Sequence, residues 1–420
     1  MARKHSLAAT VLAILVAMSP TARAETNWPQ FGGPQGSFGS VESHLPTQWS
    51  SDQVQWKTPL EGWGQSSPVI WGDRIFLTTA LDNGRQRVVF CLDRNGGKEL
   101  WRHTAWSGDP EPSHKMNGWA SATCVTDGDV LVAFFGRGGM HAYSLDGKPL
   151  WTRDLGPFDG PWGTAACPII VGDHVIQNGD SESEAFLIAL DKRTGKTVWS
   201  TPRESLRGWS TPIVIDVSGQ GKAAHKELVL NGHNGVRGYD PATGKELWFC
   251  KGYNGRGEPI PAAAHGLLFV VNGLAGDVYA VRPGGSGDVS ETHRVWHTPR
   301  KAGRDLPSPI VVDNFLLVLS MNGILTCYDT SGGKELWKER IGEHFSASPL
   351  AAGGLVYFQN ESGETIVVRP GPQLDVVARN KLAAGSDELF RASPTPSEGQ
   401  LFLRSDRFLY CVGERKPARP

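Results

Sequence analysis

The chain has 420 residues and is short of most features that would announce an activity. It has no excess of either charge: 42 Lys and Arg face 43 Asp and Glu, for a formal net charge of -1. That balance argues against nucleic acid or an anionic membrane as the main partner. Its six cysteines, Cys91, Cys124, Cys167, Cys250, Cys327 and Cys411, are far apart, with no CxxC or CxxCH, so paired-cysteine redox, haem and zinc motifs are excluded. No HExxH, GxSxG, phosphate-binding Walker loop or dinucleotide-binding glycine fingerprint occurs, and no nucleophile stands out. Tyrosine is scarce, at seven, against 15 tryptophans and 51 glycines, a balance that suits short strands joined by tight turns.

The first residues read as an export signal: Arg3 and Lys4, an apolar stretch from Leu7 to Met18, and Ala22-Arg23-Ala24 before Glu25. Cleavage after Ala24 is expected, which shifts the formal charge to -4 and places the protein in the periplasm or outside the cell. The residue directly after Ala24 is Glu25 and not cysteine, so no lipid anchor is expected, and no later run is long and apolar enough to span a membrane as a helix. A soluble monomer is the expectation.

What the chain does have is a repeated phrase: an apolar run ending in aspartate, a glycine turn, a lysine and a closing tryptophan. Copies end at Trp101, Trp151, Trp199, Trp248 and Trp337, with a worn one at Trp296, in steps of 50, 48, 49, 48 and 41 residues. A period of that size marks stacked units, each too small to bury its apolar face alone. A second signature, small residues and usually a proline, opens each unit: at Ser66, Ser121, Ala166, Ser210, Ile260, Pro307, Ala347 and Ala392. That makes eight units.

Each unit reads as four short strands, so the fold class is all-β: an eight-bladed β-propeller of four-stranded antiparallel blades over residues 52–413, after an extended segment at 25–51. Prolines 68, 168, 212, 309, 349 and 394 suit an innermost, edge strand, because proline cannot donate to a ladder. The last unit lacks a tryptophan strand, whereas "QVQWKTPL" around Trp56 is such a strand without a blade, so an N-terminal strand is expected to close the eighth blade. The repeat tryptophans are expected to pack on neighbouring blades, with the turn glycines at positive φ. The charged tail at 414–420 is expected to be disordered.

These residues, "LDxxTGKxLW", the Ser-Pro inner strand, "NWPQFGGP" and the closing "LYCVG", resemble the pyrroloquinoline-quinone-like (PQQ-like) β-propeller repeat proteins of exported bacterial type. The resemblance covers the mature chain and is specific for fold, while one propeller hosts many functions. It implies two function classes beyond a plain binding module. The quinoprotein dehydrogenases hold PQQ beside a vicinal cysteine pair, with calcium and a catalytic aspartate, and here no two cysteines are adjacent. The propeller subunit of the outer-membrane barrel-assembly machine binds its partner through a Leu-Arg-Gly loop and a nearby turn; this chain has Leu206-Arg207-Gly208, with His233 where that turn carries aspartate. An exported binding or scaffolding module, with an unknown protein or small-molecule partner and no assigned catalytic residue or cofactor, is the reading adopted from the sequence.

The loops that precede the inner strands should surround one mouth of the channel. Their candidate ligand residues are Trp63, Gln65, His114, Trp119, Trp162, Arg207, Trp209, Arg256, Glu258, Arg304, Asp305, His344, Phe345, Phe390 and Arg391. Indole faces and guanidinium donors could stack a planar ligand or hold a peptide side chain, or the rings could plug the channel while the arginines pair with Glu258 and Asp305. A stretch from Asp216 to Glu227 has the spacing of a calcium loop but only two carboxylates, and an ordinary long hairpin is expected there.

Overall fold

The computed structural model describes residues 27–414 apart from 220, 221, 254, 275, 276, 301, 302, 384 and 386; the expected leader and residues 415–420 of the tail lie outside these. Eight antiparallel sheets of four strands follow one another along the chain, as the repeat count requires. The first blade is Val69–Trp71, Arg74–Leu81, Gln86–Asp93 and Glu99–Ser107, in sequential order. The innermost strands of the other seven are Val125–Thr126, Ile169–Val171, Ile213–Gly219, Ala262–Ala264, Ile310–Val312, Leu350–Ala352 and Thr395–Ser397. Two blades gain a short parallel edge strand, Gly287–Asp288 on the fourth and Gly39–Ser40 on the seventh.

The eighth blade takes its outer strand from the start of the chain. Val54–Pro59 pairs antiparallel with Phe408–Val412, setting Trp56 opposite Cys411 and Lys57 opposite Tyr410. Closure of this kind leaves the ring without an open end to template pairing with another chain.

The repeat phrase explains how blades hold one another. Trp101 of the first blade donates from Nε1 to the Leu145 carbonyl of the second at 3.1 Å, Trp151 to Lys192 at 2.8 Å, and Trp296 to Thr330 at 2.9 Å. The indole lies on the turn glycine of the next blade. A Cβ on Gly147 (φ +86) would stand 2.7 Å from the Trp101 ring, and one on Gly244 (φ +72) 2.3 Å from Trp199, so both the turn and the stacking exclude a side chain there. Trp248 departs from the pattern. It is fully buried and donates to Glu227 Oε2 of its own blade at 2.7 Å.

A second interblade system runs around the axis. The residue before each inner-strand proline, or before Cys124 in the second blade, offers a side-chain acceptor to the backbone N–H of the blade before it. Ser67 donates to Thr123 Oγ1 (2.8 Å), Thr123 to Cys167 Sγ (3.2 Å) and Cys167 to Thr211 Oγ1 (2.9 Å). Ile260 donates to Ser308 Oγ, Ser308 to Ser348 Oγ, Ser348 to Ser393 Oγ and Ser393 back to Ser67 Oγ, each at 3.0 Å. Seven of eight junctions are thus made alike, and at the eighth the acceptor position is held by Ile260, which has none to give.

All six cysteines are buried and unbridged, small residues of the core. The Asp216–Glu227 stretch is a hairpin, with residues 220 and 221 of the calcium-loop spacing outside the described residues. Asp216 sits opposite Lys226 and pairs with it at 2.9 Å, while Glu227, the next residue, turns to the other face and the Trp248 indole. Strand alternation therefore separates the two carboxylates instead of converging them on one ion.

Candidate site at the channel mouth

The inner strands enclose a cavity of about 200 Å³ on the axis. Its wall follows strand parity. Counting back from the proline, the first residue (Ser67, Thr123, Cys167, Thr211, Ser308, Ser348, Ser393) and the third face it in turn. The third positions carry its chemistry: Gln65, Trp209, Glu258 and Arg391, with Ser121, Ala165, Leu306 and Ser346 filling the others. The fourth positions point into the blades, and Asp305, Phe345 and Phe390 are accordingly fully buried.

Of the residues singled out from sequence, Gln65, His114, Trp162, Trp209, Arg256, Glu258, Arg304 and Arg391 come together on this cavity. The others do not line it. Trp63 packs on Gly118 and its Nε1 is 3.4 Å from the Asn117 carbonyl, while Trp119 donates to the Glu111 carbonyl at 2.8 Å beside Arg87. His344 is exposed on a left-handed backbone (φ 55), and Arg207 stands on the rim next to Trp162. Met116, Asn117 and Phe31 line the cavity without having been recognised.

Phe31 comes from the other end. The segment after Asn27 crosses the ring where the inner strands finish: Trp28 bridges Ile70, the Pro29 carbonyl accepts from Thr126, and Gly39 and Ser40 pair with Ala351 and Ala352. Phe31, edge-on to Phe38 with ring centres 5.1 Å apart, forms the cavity floor. The cavity is thus a well with Phe31 at its lower end and the loop residues at its mouth.

Trp162 is the centre of the rim. The His114 ring lies 5.3 Å from it, and the Arg207 and Arg256 guanidiniums lie 5.3 and 5.7 Å from its face. Arg207 also pairs with Glu182 at 2.7 Å, and Trp209 Nε1 donates to the Gly163 carbonyl at 2.9 Å. Arg391 is held by Glu361 (3.2 Å) and donates to the Lys115 carbonyl. Asp305 pairs with Arg300, through bonds of 2.7 and 2.9 Å, and not with an arginine of the candidate set.

Glu258 is the one carboxylate of the lining, and neither of its oxygens, both sealed from solvent, bonds another residue among those described. Burial pushes its carboxyl up to about 7; its own backbone N–H and the charges of Arg304 and Arg256 pull the other way, and Asp305 adds to the rise.

A calcium-held quinone asks for different walls. Calcium takes six to eight oxygen ligands, usually including several carboxylates. Glu258 is the single acid here, and the described residues contain no group of three His, Cys, Asp or Glu able to hold a metal. The donor set does not fit that pair.

Known proteins bear on the chain as follows. It is 26% identical to tetrathionate hydrolase of Acidithiobacillus ferrooxidans over 65% of its length, a match that spans about half (53%) of that protein. It is 23% identical to the outer membrane protein assembly factor BamB of Burkholderia pseudomallei, over 76% of this chain and 80% of that one. In fold it is similar to a europium-containing methanol dehydrogenase, with a TM-score of 0.66 at 13% identity over 90% of this chain and 89% of that chain. The family model for outer membrane protein assembly factor BamB matches residues 84–302 and 274–370, most of the propeller, and the chain belongs to that family.

Proposed function

We propose that this protein is a non-catalytic scaffold of the periplasm that seats a protein partner over the channel mouth, in the manner of an outer-membrane assembly factor. The observation that carries this reading is the meeting of two loops far apart in sequence. Leu206 and His233 line one surface cleft beside the Arg203–Asp180 ion pair (2.6 Å), and Arg207, the next residue, leans on Trp162 at the channel rim. The segment resembling the assembly subunit's partner-binding loop therefore continues into the well as one surface, with an aromatic and an arginine at its centre, the side chains that anchor protein interfaces.

The test is titration calorimetry of the full chain against the soluble domain of the barrel component of the assembly machine from the same organism. Binding in the micromolar range or tighter is expected, weakened at least tenfold by Arg207→Ala with an unchanged thermal melt. An absence of heat with the folded parent overturns the reading.

A second reading, quinone-dependent oxidation, is favoured by the fold shared with the methanol dehydrogenase and opposed by the single acid in the cavity. Reconstitution with PQQ and calcium, followed by dye reduction with alcohols, separates the two. The scaffold reading expects no substrate-dependent rate.

A further inference from the structure

Most arginines around the mouth already have an acid. Arg203 has Asp180, Arg207 has Glu182, Arg300 has Asp305 and Arg391 has Glu361. Arg256 and Arg304 have none among the described residues. Arg256 rests on the Trp162 face, and Arg304 has its Nε sealed in the wall without an acceptor. Both line the well, and both flank Glu258, whose oxygens bond neither of them. The lower wall adds hydroxyls that accept from backbone N–H groups; that of Ser348 also donates to Ser308 Oγ at 3.2 Å, while those of Thr123 and Ser393 have no acceptor among the described residues.

We infer that the well is a binding site for one carboxylate group, taken by Arg256 and Arg304 with its hydrocarbon part against Trp162 and Trp209. Guanidinium forks match a carboxylate in two parallel bonds, and neither Arg256 nor Arg304 has an acid partner among the described residues to occupy its fork. The carboxylate can be a small free acid or an acidic side chain of a seated chain; the second source rests on the proposed function, the first does not.

The site is coupled to a proton. An incoming carboxylate adds a second negative charge beside Glu258, whose carboxyl burial already holds near 7, and so favours its protonated form. Binding takes up a proton, and affinity falls as pH rises above 7. The other charges facing Glu258 are Arg256, Arg304 and the Asp305 of the Arg300 pair, with His114 and the Glu361-held Arg391 across the well. His233, near Arg256, is held below the usual histidine value by burial and by Arg207 and Arg256.

The experiment uses the full chain with succinate, its diamide, and a short glutamate-containing peptide. Calorimetry is run at pH 6 and 8 in two buffers of different ionisation heat, with indole fluorescence in parallel. Expected are binding of succinate or the peptide but not the diamide, an affinity at least fivefold weaker at pH 8, and buffer-dependent heats that report proton uptake. Glu258→Gln should bind equally at both pH values, and the double variant Arg256→Gln/Arg304→Gln should not bind while melting as the parent does. Succinate binding assigns the site to a free acid, and peptide binding alone assigns it to a seated chain. No binding of either carboxylate, binding that survives the double substitution, or affinity independent of pH in the parent overturns the inference. Loss of the barrel-component interaction alone leaves succinate binding intact, which separates failure of the proposed function from failure of this site.

Discussion

The backbone N–H of Ser393 donates to the Oγ of Ser67 at 3.0 Å, across 326 residues of sequence. It is the axial bond of the seam where the eighth blade meets the first, and both residues are buried. Ser67→Ala leaves that buried N–H without its acceptor, at a cost of about 1–3 kcal/mol. Urea unfolding should show a lower midpoint with an unchanged slope; an unchanged midpoint would contradict the axial ring's part in closure.

Trp248 has the largest fully buried side chain in the ring and is tied to Glu227, itself bonded by the His225 ring at 2.9 Å. Trp248→Ala should cost about 3–5 kcal/mol by core truncation. Chemical denaturation measures it directly, and a loss under 1 kcal/mol would show that the site collapses around the vacancy.

Glu258 makes stability depend on pH with a definite sign. Its carboxyl rises from 4.5 to about 7 on folding, so the folded chain holds a proton that the unfolded chain releases near 4.5. The contribution is present in full below the unfolded value and is lost as pH rises through about 7. Glu258→Gln should therefore gain melting temperature over the parent between pH 4.5 and 7 and hold that gain at pH 8. A difference that stays constant across this range would refute the assignment.

Thiol chemistry should be silent in the native protein. Burial pushes Cys91, Cys124, Cys327 and Cys411 up to about 12, and raises Cys167 and Cys250 as well. Since the thiolate is the reactive form, a thiol-disulfide dye at pH 8 should find no fast-reacting group until denaturant releases six. A rapid native reaction would place at least one cysteine at the surface.

The ring and its closure were legible because the repeat carries its own punctuation. The aspartate and glycine of each turn and the tryptophan after it do the same physical work in successive blades, and Trp56 is that strand displaced to the start of the chain. The site was legible only in part. Gln65, Trp209, Glu258 and Arg391 stand three residues before their proline and reach the well, whereas Asp305, Phe345 and Phe390, one residue earlier, turn into the core. That alternation was present in the sequence and would have sorted them. Phe31 carried no such signal. Its position depends on a segment that crosses several blades, and nothing in its neighbours marks a floor.

Phe31 reaches the cavity from the end opposite the mouth, so that a propeller floored there would act as a cup and not a pipe. A ligand would then enter and depart past Trp162 and Arg207, the same side chains a seated chain would cover. Were both the proposed acid and the proposed partner to bind there, occupancy would be ordered in time: the acid would load before the partner arrived, and its escape would wait on that partner's departure.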